Sequence, residues 1–155
     1  MNTALARRTT HSDTHHLAGS GQATQRRWPP GFTTAAGAFY ACMAGVHLGI
    51  VAADPQAYDN MPSQSPWGFV RTAWADIFMA NPQFWGLFAA GLELSLGVLL
   101  LVGGRASKLG WIGIIAFQVP LILFGWGYLI WSLPAAAVLY LAARHDWPLL
   151  ERLPR

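Results

Sequence analysis

The sequence predicts an all-α integral membrane protein, a four-helix bundle with both termini cytoplasmic. Three observations predict it. Of 155 residues, 54% are hydrophobic and only 11% charged, far from the balance of an average soluble domain. The hydrophobic residues are gathered into long blocks divided by proline, glycine and charge. The basic residues fall on alternate connections between those blocks, which is how the orientation of membrane helices is written. Cys42 is the only cysteine, so there is no internal disulfide and no CxxC-type metal or redox site.

Residues 1–31 carry Arg7, Arg8, Arg26 and Arg27 among Thr, Ser, Gly and His, with almost no large apolar residue before Trp28. This composition predicts a disordered basic tail, and it lacks the apolar core of a secretory signal. The block FTTAAGAFYACMAGVHLGIVAA, residues 32–53, has no formal charge. At ~1.5 Å per residue it crosses ~30 Å of hydrocarbon and forms the first span. Residues 54–82 hold four prolines and scattered charges. They are too polar to span and form an outer loop, with room for a short surface helix over 70–79. The second span is 83–102, followed by the tight basic turn GGRASK. The third is 108–124, ending at GWG, and the fourth is 128–143, carrying Pro134. Residues 146–155 read as a short cytoplasmic tail.

Orientation follows from charge. The tail sets four arginines against Asp13, and Arg105 and Lys108 add positives on the same side. The long loop sets Asp54, Asp59 and Asp76 against Arg71 on the other. Both termini are therefore expected in the cytoplasm. Trp28, Trp111 and Trp147 lie at the inner boundary, and Trp85, Trp126 and Trp131 at the outer one, where indoles favour the interface. In the first span Gly37, Ala41, Gly45 and Gly49 recur every four residues, a stripe expected to pack closely against another helix.

Glu93 is the anomaly of the second span. An ionised carboxylate at mid-helix costs roughly 2.5–3.5 kcal/mol on insertion scales, so it should face the bundle interior and find a partner. His47 and Gln118 each lie six residues inside the outer end of their helices, about 9 Å deep, and Glu93 lies roughly 13 Å deep. Side chains lean toward their own helix N-terminus, which brings His47, Glu93 and Gln118 into one layer of the outer half. Pro120 and Pro134 lie near that depth and free the carbonyls of Ala116 and Ile130. Two readings stay open. One is a polar cavity that handles a proton, a quinone headgroup or a small solute. The other is a buried network that fixes the register of the bundle.

No catalytic residue and no metal site is assigned. The tail histidines His11, His15 and His16 have no fold to hold a metal geometry. His145 and His47 lie at opposite boundaries, which excludes a bis-histidine haem between them. There is no phosphate-binding loop, nucleophile elbow or metalloprotease helix. The basic tail suits the anionic inner leaflet rather than nucleic acid.

The stretch LELSLGVLLLVGGRASKLG, residues 92–110, resembles the second-helix signature of the DoxX-like family of small four-helix membrane proteins. Its features are Glu93, Gly97, the apolar run 99–102, Gly103 or Gly104, and Arg105. The resemblance extends loosely over residues 32–145 through the number and order of spans. It implies a four-helix bundle and, for some members, association with membrane oxidoreductases or quinone-linked sulfur and thiol redox systems. Only Glu93 carries over as a matched position. The sequence thus reads as a protein of a bacterial cytoplasmic membrane, an accessory or anchoring subunit of a quinone-linked redox system. The alternatives are a small-solute or proton carrier, and an assembly factor without its own chemistry. A membrane oxidoreductase is the expected partner; Trp67, Phe69, Trp74 and Phe78 of the loop are either its docking residues or aromatics lying in the lipid interface, and a homo-oligomer is admitted.

Overall fold

A computed structural model describes residues 29–151, and the predicted tail up to residue 28 lies outside them. Helix α1 spans Gly31–Ala53, α2 Gly68–Ala73, α3 Pro82–Val102, α4 Gly104–Leu121 and α5 Trp126–Glu151. No strand occurs among the described residues. Helices α1, α3, α4 (with the 3₁₀ turn Ile122–Phe124 that ends it) and α5 are each long and apolar enough to cross a membrane. Together they make a multi-pass membrane bundle. Helix α1 packs on α3, α3 on α4 and α4 on α5, and α5 returns to α1. Phe39, Val46, Phe88, Val98, Ile112, Val119, Ile130 and Val138 point outward, as suits a solvent as apolar as the side chains.

The buried stripes follow helical spacing. Thr33, Gly37, Tyr40 and Ala44 are buried on α1, with half-buried His47 next in the row. Gly86, Ala90, Glu93, Gly97 and Leu100 form the stripe on α3, and Ser107, Trp111, Ile114 and Gln118 that on α4. Glu93 therefore sits where a three-and-four repeat places core residues. The core is Tyr40, Leu96, Leu100, Trp111, Ile114, Ala143 and Leu150.

Three features differ from expectation. The third helix begins at Gly104 instead of 108, because Gly103 (φ 94°) and Gly104 (φ 59°) make the whole turn in a region open to glycine. Ser107 Oγ holds that turn, accepting from the Gly103 N–H at 3.1 Å and donating to the Leu100 carbonyl at 2.6 Å. The tail predicted from residue 146 is, through Glu151, the last turns of α5, with Leu150 in the core. Arg144, His145 and Pro148 look like a helix end in sequence, but Asp146 turns inward and anchors the helix.

The predicted packing stripe on α1 is also only half a contact. A Cβ added at Gly97 would lie 2.8 Å from the Gly37 carbonyl oxygen and 3.0 Å from the Ala41 nitrogen, so α1 and α3 cross backbone to backbone there. Around Gly45 and Gly49 nothing lies within 4 Å of an added Cβ. A four-residue step overshoots one turn by ~40°. Over three steps the stripe has rotated out of the interface.

The long loop is folded. Asp54 Oδ1 accepts from the Gln56 N–H and opens the 3₁₀ turn Pro55–Tyr58. Helix α2 runs on into a π-helical turn, Trp74–Phe78. Trp74 stacks on Phe78 at 3.8 Å, meets Phe124 edge-on, and donates from Nε1 to the Tyr58 carbonyl at 3.0 Å. Ser65 Oγ donates to the Leu123 carbonyl at 2.6 Å, and Gln64 Oε1 accepts from the Gly127 N–H at 3.0 Å. The loop thus covers one end of the bundle, the loop end. The other, terminal end carries the start of α1 and the close of α5.

Candidate intramembrane polar site

At the loop end the fold brings two of the three predicted polar residues together. His47 Nε2 lies 3.7 Å from Glu93 Oε1, an ion-pair distance too long for a hydrogen bond. The other ring nitrogen, Nδ1, lies 2.6 Å from the hydroxyl oxygen of Tyr58, and the two rings stack at 14°. With the phenol donating to Nδ1, a neutral imidazole carries its proton on Nε2, facing the carboxylate. Tyr58 and Glu93 are each only 3% exposed. The loop closes this site from above, through the Trp74 bond that fixes the backbone of Tyr58.

Gln118 does not join that pair. Its Nε2 donates to the Tyr40 hydroxyl at 2.9 Å, and the Tyr40 hydroxyl donates weakly to the Ile114 carbonyl at 3.5 Å. Tyr40 lies two turns from His47 on the same stripe of α1, so the two pairs are neighbouring layers of one polar region. Three buried side-chain atoms have no hydrogen-bond partner among the described residues: Glu93 Oε2 and Gln118 Oε1 of these pairs, and Ser132 Oγ. Each lies on a different helix, α3, α4 and α5.

A second buried polar cluster occupies the terminal end. Asp146 Oδ2 accepts from the Thr33 N–H at 2.7 Å and from the Thr33 hydroxyl at 2.8 Å. Its Oδ1 lies 2.9 Å from His145 Nδ1, and Trp111 Nε1 donates to Thr33 Oγ1 at 3.1 Å. Pro30, at the N-cap of α1, offers no side-chain cap. Asp146 supplies one from α5, binding a first-turn N–H and facing the positive end of the helix dipole.

Sequence reasoning missed Tyr58, Ser132 and Asp146, and it counted Tyr40 with Thr33 and Thr34 as polar residues of the inner half where the structure pairs Tyr40 with Gln118. Only Tyr58 had a local signal: Asp54 before Pro55 marks a capped turn that brings residue 58 back toward the helix end. Trp74 and Phe78, expected as docking aromatics, are consumed in holding the loop. Trp67 and Phe69 stay more than half exposed. No group of three His, Cys, Asp or Glu among the described residues could hold a metal ion, and the tail histidines lie outside those residues. No family model, curated protein or solved structure matches the chain.

Proposed function

We propose that the protein is an accessory, anchoring subunit of a membrane redox system, and that the polar region at its loop end receives the headgroup of a quinol. The observation that carries this reading is the set of unpartnered buried oxygens. Glu93 Oε2 and Gln118 Oε1 are acceptors on two facing helices, and a quinol offers two hydroxyl donors to such a pair. Leaving a buried acceptor unpaired costs about 1–3 kcal/mol, a cost that a donor-bearing ligand removes. A quinol gives up two protons with its two electrons; the His47–Glu93 pair can take the protons one after the other, and Tyr58 leads from it toward the loop. The electrons pass to the partner oxidoreductase, for which exposed Trp67 and Phe69 are the docking anchors. The DoxX-like resemblance of residues 92–110 points the same way.

The carrier reading is disfavoured by what lies between the two polar clusters. Leu100 and Ile114 are fully buried there, and a carrier needs a polar path through that layer. In the proposed orientation both termini are cytoplasmic in a bacterial membrane. Arg105, Lys108 and Arg144 stand at the terminal end and three aspartates in the loop.

Affinity purification in mild detergent tests the proposal, with bound quinone extracted and co-purifying proteins identified by mass spectrometry. Wild type should retain both quinone and an oxidoreductase. Glu93→Gln should lose most of the quinone and keep the partner, while Trp67→Ala with Phe69→Ala should lose the partner. A preparation holding neither quinone nor partner would sink the proposal.

A further inference from the structure

At the terminal end an open-sided groove of about 550 Å³ runs between α4 and α5, walled by Trp111, Ile112, Ile115 and Tyr140, with Pro148 at its outer end and Arg144 lining it one turn further in. Its size lies within the ~300–1,000 Å³ typical of ligand pockets. The groove is apolar along its length and has one charged lining residue. Arg144 pairs with no carboxylate among the described residues. Among the described residues, the two acids at this end are engaged elsewhere. Asp146 is held by Thr33 and His145, and Glu151 by Lys108 at 2.7 Å. Lys108 also lies over the Trp147 ring, 4.9 Å from its centre, which fixes that ring beside the groove.

The depth of each wall residue sets the polarity of the groove. Arg144 is the first charge after the apolar run of α5, and Tyr140 lies one turn deeper. Ile115 likewise lies one turn deeper than Trp111 on α4. The guanidinium therefore stands one turn inside the Pro148 end of the groove, and the apolar slot runs on from it toward the bilayer centre.

We infer that this groove binds one anionic phospholipid, its phosphate on Arg144 and an acyl chain along Ile112, Ile115 and Tyr140. The charge is complementary, and the guanidinium presents a planar donor fork suited to two phosphate oxygens. Basic pockets between helices take lipid headgroups in this way. The inference is independent of the quinol reading, since it uses other residues at the opposite end of the bundle.

Native mass spectrometry of the purified full chain, titrated with phosphatidylglycerol and separately with phosphatidylcholine, tests it. Both lipids carry a phosphate, but the quaternary ammonium of phosphatidylcholine cancels its charge beside Arg144, so wild type should bind a first phosphatidylglycerol at least about fivefold more tightly, the weight of one basic side chain against an anionic headgroup. Arg144→Ala should erase that preference, and Arg105→Ala, which changes an exposed cation outside the groove, should keep it. Ile112→Trp, which fills the slot, should weaken both lipids. Equal loss from Arg105→Ala and Arg144→Ala would mean diffuse attraction and overturn the site. A dimer that Arg144→Ala dissociates would assign the groove to a second copy of the chain and overturn it equally.

Discussion

Replacing Gly97 by alanine should destabilise the bundle, while the same change at Gly45 should not. Both positions are glycines in apolar helices, and sequence alone gives no reason to separate Gly45 from the packing stripe. The structure separates them. A Cβ at Gly97 would stand 2.8 Å from the Gly37 carbonyl oxygen and 3.0 Å from the Ala41 nitrogen, both main-chain atoms that cannot rotate aside. Helix α1 would have to move off α3, and overpacking of this kind costs about 1–3 kcal/mol. At ~2–4 °C per kcal/mol for a chain of this size, the melting temperature should fall by roughly 2–12 °C. A Cβ at Gly45 meets nothing within 4 Å, so Gly45→Ala should leave the melting temperature unchanged or slightly raised through helix propensity. Thermal unfolding in detergent, followed by circular dichroism, reads both. Equal falls would mean that the whole stripe is an interface, and no fall at Gly97 would mean that the helices do not cross where Gly97 meets Gly37.

Asp146→Ala should cost about 1–3 kcal/mol in denaturant unfolding, because it strips the Thr33 N–H of its buried acceptor. Asp146→Asn keeps an acceptor oxygen and should cost less than half as much. Ser107→Ala should cost about 1–2 kcal/mol by releasing the turn between α3 and α4, with faster amide exchange at Gly103 as its local signature. Burial, and secondarily Glu93, hold the Tyr58 hydroxyl above its ordinary pKa of 10.0. The folded protein therefore keeps that proton after the unfolded chain has lost it, and stability should fall as pH rises above about 10. Tyr58→Phe should lessen that alkaline fall, seen by comparing unfolding at about pH 9 and about pH 11.

The four apolar helices could be read from sequence because a span must be long, apolar and bounded by polar residues, and all three marks are local. The end of α5 could not. Its last turns carry Arg144, His145, Asp146 and Pro148, and nothing local says that Asp146 turns inward to cap a helix 113 positions away. The site divides in the same manner. Glu93 and His47 lie on helical stripes whose depth follows from counting residues, so their meeting was legible. Gln118 has the expected depth, but rotation about α4 delivers it to Tyr40, and depth alone carries no rotation. Tyr58 reaches His47 only because residues 54–81 fold back over the bundle, held by bonds from Ser65, Gln64 and Trp74 that link distant parts of the chain.

The two polar clusters bear on the question that the sequence left open, whether Glu93 fixes the register of the bundle or serves a ligand as proposed. A register device works when every member is paired, since a half-satisfied buried network destabilises the state it is meant to specify. The terminal cluster meets that condition. Both oxygens of Asp146 are engaged, and Thr33, Trp111 and His145 complete a set that ties α1, α4 and α5 together. Helix register at that end is already fixed, and the backbone crossing at Gly37 and Gly97 fixes α3 against α1. The loop-end cluster adds little to either task. His47 and Glu93 stand 3.7 Å apart without a hydrogen bond, and Glu93 and Gln118 each keep a buried atom unpaired. A carboxylate held there for packing alone would be replaced with gain by an apolar side chain of similar volume. Glu93→Leu is therefore the discriminating variant: on the ligand reading it should unfold at the same or higher temperature than wild type while losing bound quinone, whereas a register role predicts a fall in melting temperature comparable to that of Asp146→Ala.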